Sequence, residues 1–95
     1  MPRILVIDDE PKILRLIGRA LTDVGHQVTT CDNGEQAMRE LSASGFDMMI
    51  SDVRLPDCSG EDLLEYAKSI DPELQVILIT AYGTVSQAVN AMRKG

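Results

Sequence analysis

Aromatic side chains are scarce in this 95-residue chain: Phe46, Tyr66 and Tyr82 are the whole set, and there is no tryptophan. The core must therefore be aliphatic, although 44% hydrophobic and 25% charged residues make an ordinary soluble composition. Long apolar runs are missing too. None approaches the roughly 20 residues that span a bilayer, and Met1-Pro2-Arg3 leads straight into a strand-like run, so the chain is expected to begin at its fold with no membrane contact. Two cysteines, Cys31 and Cys58, are too few for a disulfide framework and suit unpaired thiols in a reducing cytoplasm. Basic charge is short, with 9 Lys and Arg against 15 Asp and Glu and a formal net charge of −6. That balance argues against direct nucleic-acid binding, which needs concentrated cations, and favours cations or basic partners. A phosphate-binding loop and a dinucleotide fingerprint are both missing, leaving nucleotide hydrolysis and hydride transfer without support. Nothing in the chain marks a linker or a sequence repeat, so residues 1–95 are expected to form one domain.

What is present is alternation. Ile4 to Ile7 is continuously apolar, as in a strand covered on both faces. Pro11 suits a first helical turn, and Ile13, Leu16, Ile17, Ala20, Leu21 and Val24 follow at spacings of three and four, with Gly25 as a left-handed stop. Gln27 to Cys31 alternates more and carries two threonines, which predicts a half-exposed edge strand. After the Asp32-Asn33-Gly34 turn, a second helix presents Ala37, Met38 and Leu41 inward and stops at Gly45. Phe46 to Ser51 is the third strand. Leu55 to Gly60 is a loop, and Ser59 with Asp62 opens a helix whose inner residues are Leu63, Leu64, Ala67 and Ile70, ended by Asp71-Pro72. Gln75 to Ile79 is the fourth strand, and Thr84 with Gln87 opens a fourth helix with Val85, Ala88, Val89 and Met92 inward. Four strand–helix units predict an α/β fold: a doubly wound parallel sheet with helices on both faces.

Three of these strands end in groups that can hold a cation and a phosphate: Asp8-Asp9, Asp52 and Thr80. In a parallel sheet those ends share the edge where open α/β folds place their sites. Carboxylates gathered within about 5 Å repel by roughly 3 kcal/mol per pair at an effective dielectric near 20, so the cluster needs a cation or a proton. Hard oxygens favour Mg²⁺ or Ca²⁺. A carboxylate beside such a metal can act as a nucleophile and form an aspartyl phosphate. Asp52 is the better nucleophile because it stands alone at a strand end, Asp8 and Asp9 suit the metal, and the Thr80 hydroxyl can donate to a phosphoryl oxygen with small Ala81 beside it. Each has a plainer role open to it: Asp9 as a helix cap, Asp52 as an Asx turn, Thr80 as a polar strand terminus. His26 is expected at the surface, Met38 and Met92 in the core, and Asp57 as a stabiliser of its own loop.

The segments Ile4-Leu5-Val6-Ile7-Asp8-Asp9-Glu10, Asp52-Val53-Arg54-Leu55-Pro56-Asp57 with Ser59-Gly60, and Ile79-Thr80-Ala81-Tyr82-Gly83 together resemble the receiver domain of two-component response regulators. The resemblance covers essentially the whole chain, and from Leu78 to Gly95 it is nearest to nitrogen-regulation-type transcription activators. It implies a flavodoxin-like receiver fold with strand order 2-1-3-4. It also implies that Asp52 accepts a phosphoryl group from the phosphohistidine of a sensor histidine kinase. Asp8, Asp9, Asp52 and the backbone carbonyl of Arg54 would hold Mg²⁺, and Thr80 would act as the switch for an output domain of the same parent protein. Members of the family continue into a fifth strand and helix, bringing a phosphate-pairing lysine that Lys94 does not match in position. The expectation is therefore a receiver lacking those elements, impaired in phosphorylation and prone to self-association through an apolar fourth-strand edge at Val76 to Ile79. Two other readings compete: a Mg²⁺-dependent aspartate-nucleophile phosphotransferase, disfavoured because position 54 is Arg where a second acid is expected, and a structural fragment whose acids only cap helices and turns.

Overall fold

In a computed structural model, residues 2–79 are described. Seven elements follow in order: β1 (Arg3–Ile7), α1 (Pro11–Asp23), β2 (Gln27–Cys31), α2 (Gly34–Ala43), β3 (Met48–Asp52), α3 (Gly60–Ile70) and β4 (Gln75–Ile79). The strands form one parallel sheet in the order β2-β1-β3-β4. The apolar runs of β1 and β3 thus become inner strands, and the Thr-rich β2 takes an edge. The anticipated fourth helix, with Thr84, Val85, Gln87, Ala88, Val89 and Met92, lies outside the described residues, as do Thr80, Tyr82 and Lys94.

Strand side chains alternate between faces. Leu5, Ile7 and Met49 point into the larger core, where Ala37 and Leu41 of α2 and Leu63 and Ala67 of α3 meet Phe46 and Leu74. Ile4, Val6 and Ile50 point the other way, beneath Leu14, Ile17 and Leu21 of α1. Each side chain that passes from full exposure to full burial contributes about 1.5–3 kcal/mol, so the first face dominates the stability of the described structure.

Local chemistry sets the helix ends. Gly25 has φ 96°, and the Gly25 and His26 amides donate to the carbonyls of Thr22 and Leu21, closing α1 with a Schellman motif. Ser59 Oγ accepts the Asp62 amide at 3.0 Å, as the capping pattern anticipates.

Several expectations are corrected. The inner stripe of α1 is Leu14, Ile17 and Leu21, while Leu16 and Val24 are 67% and 70% exposed. So many apolar residues in one helix fit two overlapping stripes, and contact with the sheet selects one. Ile70 is 45% exposed at the end of α3. The third strand runs from Met48 to Asp52, because Asp47 turns its carboxylate to the Arg3 amide at 2.8 Å and Phe46 packs in the core ahead of the strand. Ser44, in extended conformation, caps α2, and Gly45 has no positive φ. Met38 is half-buried against the core, and both thiols are free, Cys31 buried and Cys58 half-buried.

Candidate phosphoacceptor and metal site

Parallel register brings the acids together. Ile7 pairs with Ser51 between β1 and β3, so the residues that follow, Asp8 and Asp52, lie side by side at the carboxyl edge of the sheet. The Asp8 amide donates to the Cys31 carbonyl at 3.1 Å and prolongs the ladder by one residue. With a period of two, Asp8 continues the column of Ile4 and Val6, and Asp52 that of Met48 and Ile50, so both lie on the α1 side of the sheet. One carboxylate oxygen from each of Asp8, Asp9 and Asp52 lies within 4.8 Å of the others.

The two strand ends use the same local device. Asp8 Oδ1 accepts the Glu10 amide at 2.8 Å, and Asp52 Oδ1 accepts the Arg54 amide at 3.1 Å. Each bond orients its carboxylate through the amide two residues on and leaves the second oxygen with no hydrogen-bond partner among the described residues. The Asx-turn role of Asp52 is therefore real and compatible with chemistry at its other oxygen. Asp9 does not cap α1: Glu10 is the N-cap, its carboxylate accepting the Lys12 amide. Asp9 is exposed and is held in the cluster by its place in the chain.

Burial pushes the Asp8 carboxyl above its ordinary range; the Glu10 amide pulls it partly back, and the charges of Asp52, Asp9 and Glu10 add to the rise. Three carboxylates at this separation repel by roughly 3 kcal/mol per pair at an effective dielectric near 20, and a hard divalent cation is what such oxygens are suited to offset. The donor set fits a cation of the Mg²⁺ or Ca²⁺ type.

The segment after Asp52 folds back on itself. The Leu55 amide donates to the Cys58 carbonyl at 3.1 Å, the Gly60 amide donates to the Val53 carbonyl at 2.6 Å, and Arg54 and Ser59 form an isolated antiparallel bridge. Gly60 is obligatory here, since a Cβ on it would stand 2.5 Å from the Asp52 carbonyl oxygen and 2.9 Å from Val53 Cα. Ser51, fully buried, donates its hydroxyl to that same Asp52 carbonyl at 2.9 Å. Sequence reasoning passed over Ser51, which reads there as an ordinary strand polar residue, and Gly60, whose signal is its place at the start of a helix. It also underestimated Asp57, whose carboxylate reaches beyond its own loop to the amides of Gly34 and Glu35. Thr80 and Ala81 lie outside the described residues; Ile79, immediately before them, pairs with Asp52.

Comparison with known proteins agrees with this geometry. The family model described as the response regulator receiver domain matches residues 4–95. The DNA-binding transcriptional regulator NtrC of Azospirillum brasilense is 37% identical over 92 residues, covering 97% of this chain and 19% of that protein. The chain spans about a fifth of the length of the curated relatives it matches. A response regulator receiver domain protein from Clostridium thermocellum superposes with a TM-score of 0.91 at 35% identity, over 100% of this chain and 77% of the other. The response regulator TrrA of Thermotoga maritima, solved in complex with Mg²⁺ and BeF, superposes with a TM-score of 0.82 at 35% identity, over 87% of this chain and 72% of the other. A parallel sheet in the order 2-1-3-4, an acid cluster at its carboxyl edge and a family match spanning nearly every residue agree: this chain belongs to the receiver domain family of two-component response regulators.

Proposed function

We propose that residues 1–95 act as one phosphoacceptor domain, in which Asp52 receives a phosphoryl group from the phosphohistidine of a sensor histidine kinase. The observation that carries this reading is the convergence of Asp8, Asp9 and Asp52, with carboxylate oxygens within 4.8 Å of one another, at the carboxyl edge of the sheet. Asp8, Asp9, Asp52 and the Arg54 carbonyl would hold Mg²⁺. When bound, the cation supplies positive charge against the carboxylates and the incoming phosphoryl oxygens.

The chain's own residues do the rest. The Arg54 amide fixes one Asp52 oxygen and leaves the other as nucleophile. That oxygen forms a bond to phosphorus as the bond from phosphorus to the donor imidazole breaks, and the electron pair returns to the imidazole nitrogen. Asp8 and Asp9 gather charge without reacting. Thr80 is the hydroxyl that answers the phosphoryl group, biasing the chain between two conformations read by an output domain of the parent protein. The domain is regulatory, with one acceptor carboxylate and no second acid at position 54 for turnover. It works in the cytoplasm without direct contact to nucleic acid, the latter supported by its charge of −6.

Incubation with Mg²⁺ and a small phosphodonor tests the reading: intact mass should rise by one phosphoryl group in the wild type and not in Asp52→Asn. Equal labelling of the two proteins overturns it. Pairing of two copies through β4 belongs to the same proposal, supported by Ile77, 42% exposed on the outer strand of the described sheet. Sedimentation of a monomer at high concentration would remove that part alone.

A further inference from the structure

The segment between Asp52 and α3 is anchored at its inner end by backbone bonds and by the close fit of Gly60 under the Asp52 carbonyl. Its outer end is held by a different element. Asp57 Oδ1 accepts the Gly34 amide at 2.8 Å and Oδ2 accepts the Glu35 amide at 2.9 Å, bonds that cross 23 and 22 positions of sequence. These are the first two amides of α2; the third, Gln36, is taken by the local cap Asn33 at 2.8 Å. One carboxylate thus satisfies two helix-end donors that local capping leaves open. Beside it the Cys58 sulfur packs on Gly34 so closely that any Cβ there would overlap it.

Position 57 is exposed, yet its carboxylate makes two charge-assisted bonds, and the Gly34 and Glu35 amides hold it below its ordinary range. Between the two anchors lies Arg54, the residue whose carbonyl the functional proposal assigns to the metal. Arg54 is held locally by its amide bond to Asp52 and its bridge to Ser59, so a shift of the loop tip at Asp57 reaches its carbonyl through Ser59.

We propose that Asp57 is a positioning residue for the Asp52 site, setting the path of residues 53–59 by tying them to the N-terminus of α2. This rests on the functional reading above and deepens it. Asp57 touches neither the acids nor the phosphoryl group; it acts through the loop backbone. By reciprocity, whatever binds at the acids tightens the Asp57 bonds, so the first turn of α2 reports the state of the site.

The test is Mg²⁺ titration of the 95-residue chain, followed by the amide resonances of Gly34 and Glu35, in wild type, Asp57→Asn, Asp57→Ala and Asn33→Ala. Asn at 57 keeps the shape but offers one acceptor where two amides need two. Both Asp57 variants should bind Mg²⁺ about three- to tenfold more weakly, less than the ~10–100-fold typical for direct partners of metal ligands, and their α2 amides should no longer respond. Asn33→Ala removes a cap from the same helix without touching the loop, so it should lower thermal stability and leave Mg²⁺ affinity unchanged. Wild-type affinity in the Asp57 variants overturns the positioning role while leaving the functional reading intact; so does an equal loss in Asn33→Ala, which would make the effect general to α2. Failure of the wild type itself to bind Mg²⁺ overturns both.

Discussion

On one face of the sheet, α2 and α3 bury Ala37, Leu41, Leu63, Leu64 and Ala67, whereas on the other face α1 buries no residue at all. The strands do not cause the difference, since Ile4 and Val6 are as buried as Leu5 and Ile7. It comes from how helices cover them. On the first face two helices lie against each other, joined by a hydrogen bond between Ser42 and Tyr66 at the rim of an open cleft, and the residues beneath them are buried. On the second, α1 is the one helix among the described residues, and it rests Leu14, Ile17 and Leu21 on the sheet, each half-buried. The acids extend the columns of this looser face, while the loop that follows Asp52 is fastened to the tighter one through Asp57. The fixed side of the molecule therefore frames a site that opens on the other.

Truncating one leucine on each side offers the largest test. Leu63 is fully buried among close neighbours, and Leu63→Ala should cost about 2–5 kcal/mol, enough to threaten folding in a domain of this size. Leu21→Ala, half-buried on α1, should cost about 1 kcal/mol. Urea denaturation with unchanged m-values measures both. Equal losses would mean that α1 is packed as firmly as α3 and would dissolve the comparison.

A smaller test uses one substitution with opposite signs. At Gly18 in α1 a Cβ would meet only Thr30 Cγ2, at an ordinary 3.7 Å, so Gly18→Ala should stabilise by up to ~1 kcal/mol through helix propensity. At Gly34 in α2 the same change drives a methyl into the Cys58 sulfur and should destabilise by about 1–3 kcal/mol. Adding Cys58→Ala should recover most of that loss, with a coupling of roughly 0.5–3 kcal/mol in a double-mutant cycle. Two changes of the same sign would show that the room for a Cβ does not separate these positions and would break the contrast between the faces.

Much of this was legible in the sequence for local reasons. The strands announce themselves as short apolar runs, and the acids stand directly after them, so Asp8, Asp9 and Asp52 could be gathered at one edge before any coordinates. Strand order came from family resemblance, because periodicity says nothing about which strands are neighbours. The rotation of α1 was not legible, since Leu16 and Leu21 fit the same three-and-four spacing and only packing separates them. Nor was the reach of Asp57, whose amide partners lie 22 and 23 positions away and leave no local pattern.

The smallest effect is a difference in the sign of pH dependence between a carboxylate serving the tight face and one ending a column of the loose face. Asp57 is held below its ordinary value of 3.8 by the Gly34 and Glu35 amides. The unfolded chain then takes up that proton first as pH falls, so the contribution is full above about pH 4 and disappears as pH drops through the folded value. Asp8 is shifted the opposite way by burial and by the neighbouring acids. Without metal the folded state takes up its proton first, so stability falls as pH rises from 3.8 through the raised folded value. Denaturation in metal-free buffer across the acid range should therefore lose its rising limb in Asp57→Asn and its falling limb in Asp8→Asn. Because Asp57 is exposed, salt should shrink the first effect more than the second, whose group is 5% exposed. If both variants flatten the same limb, the two carboxylates experience one environment, and the division of labour between the faces does not reach the site.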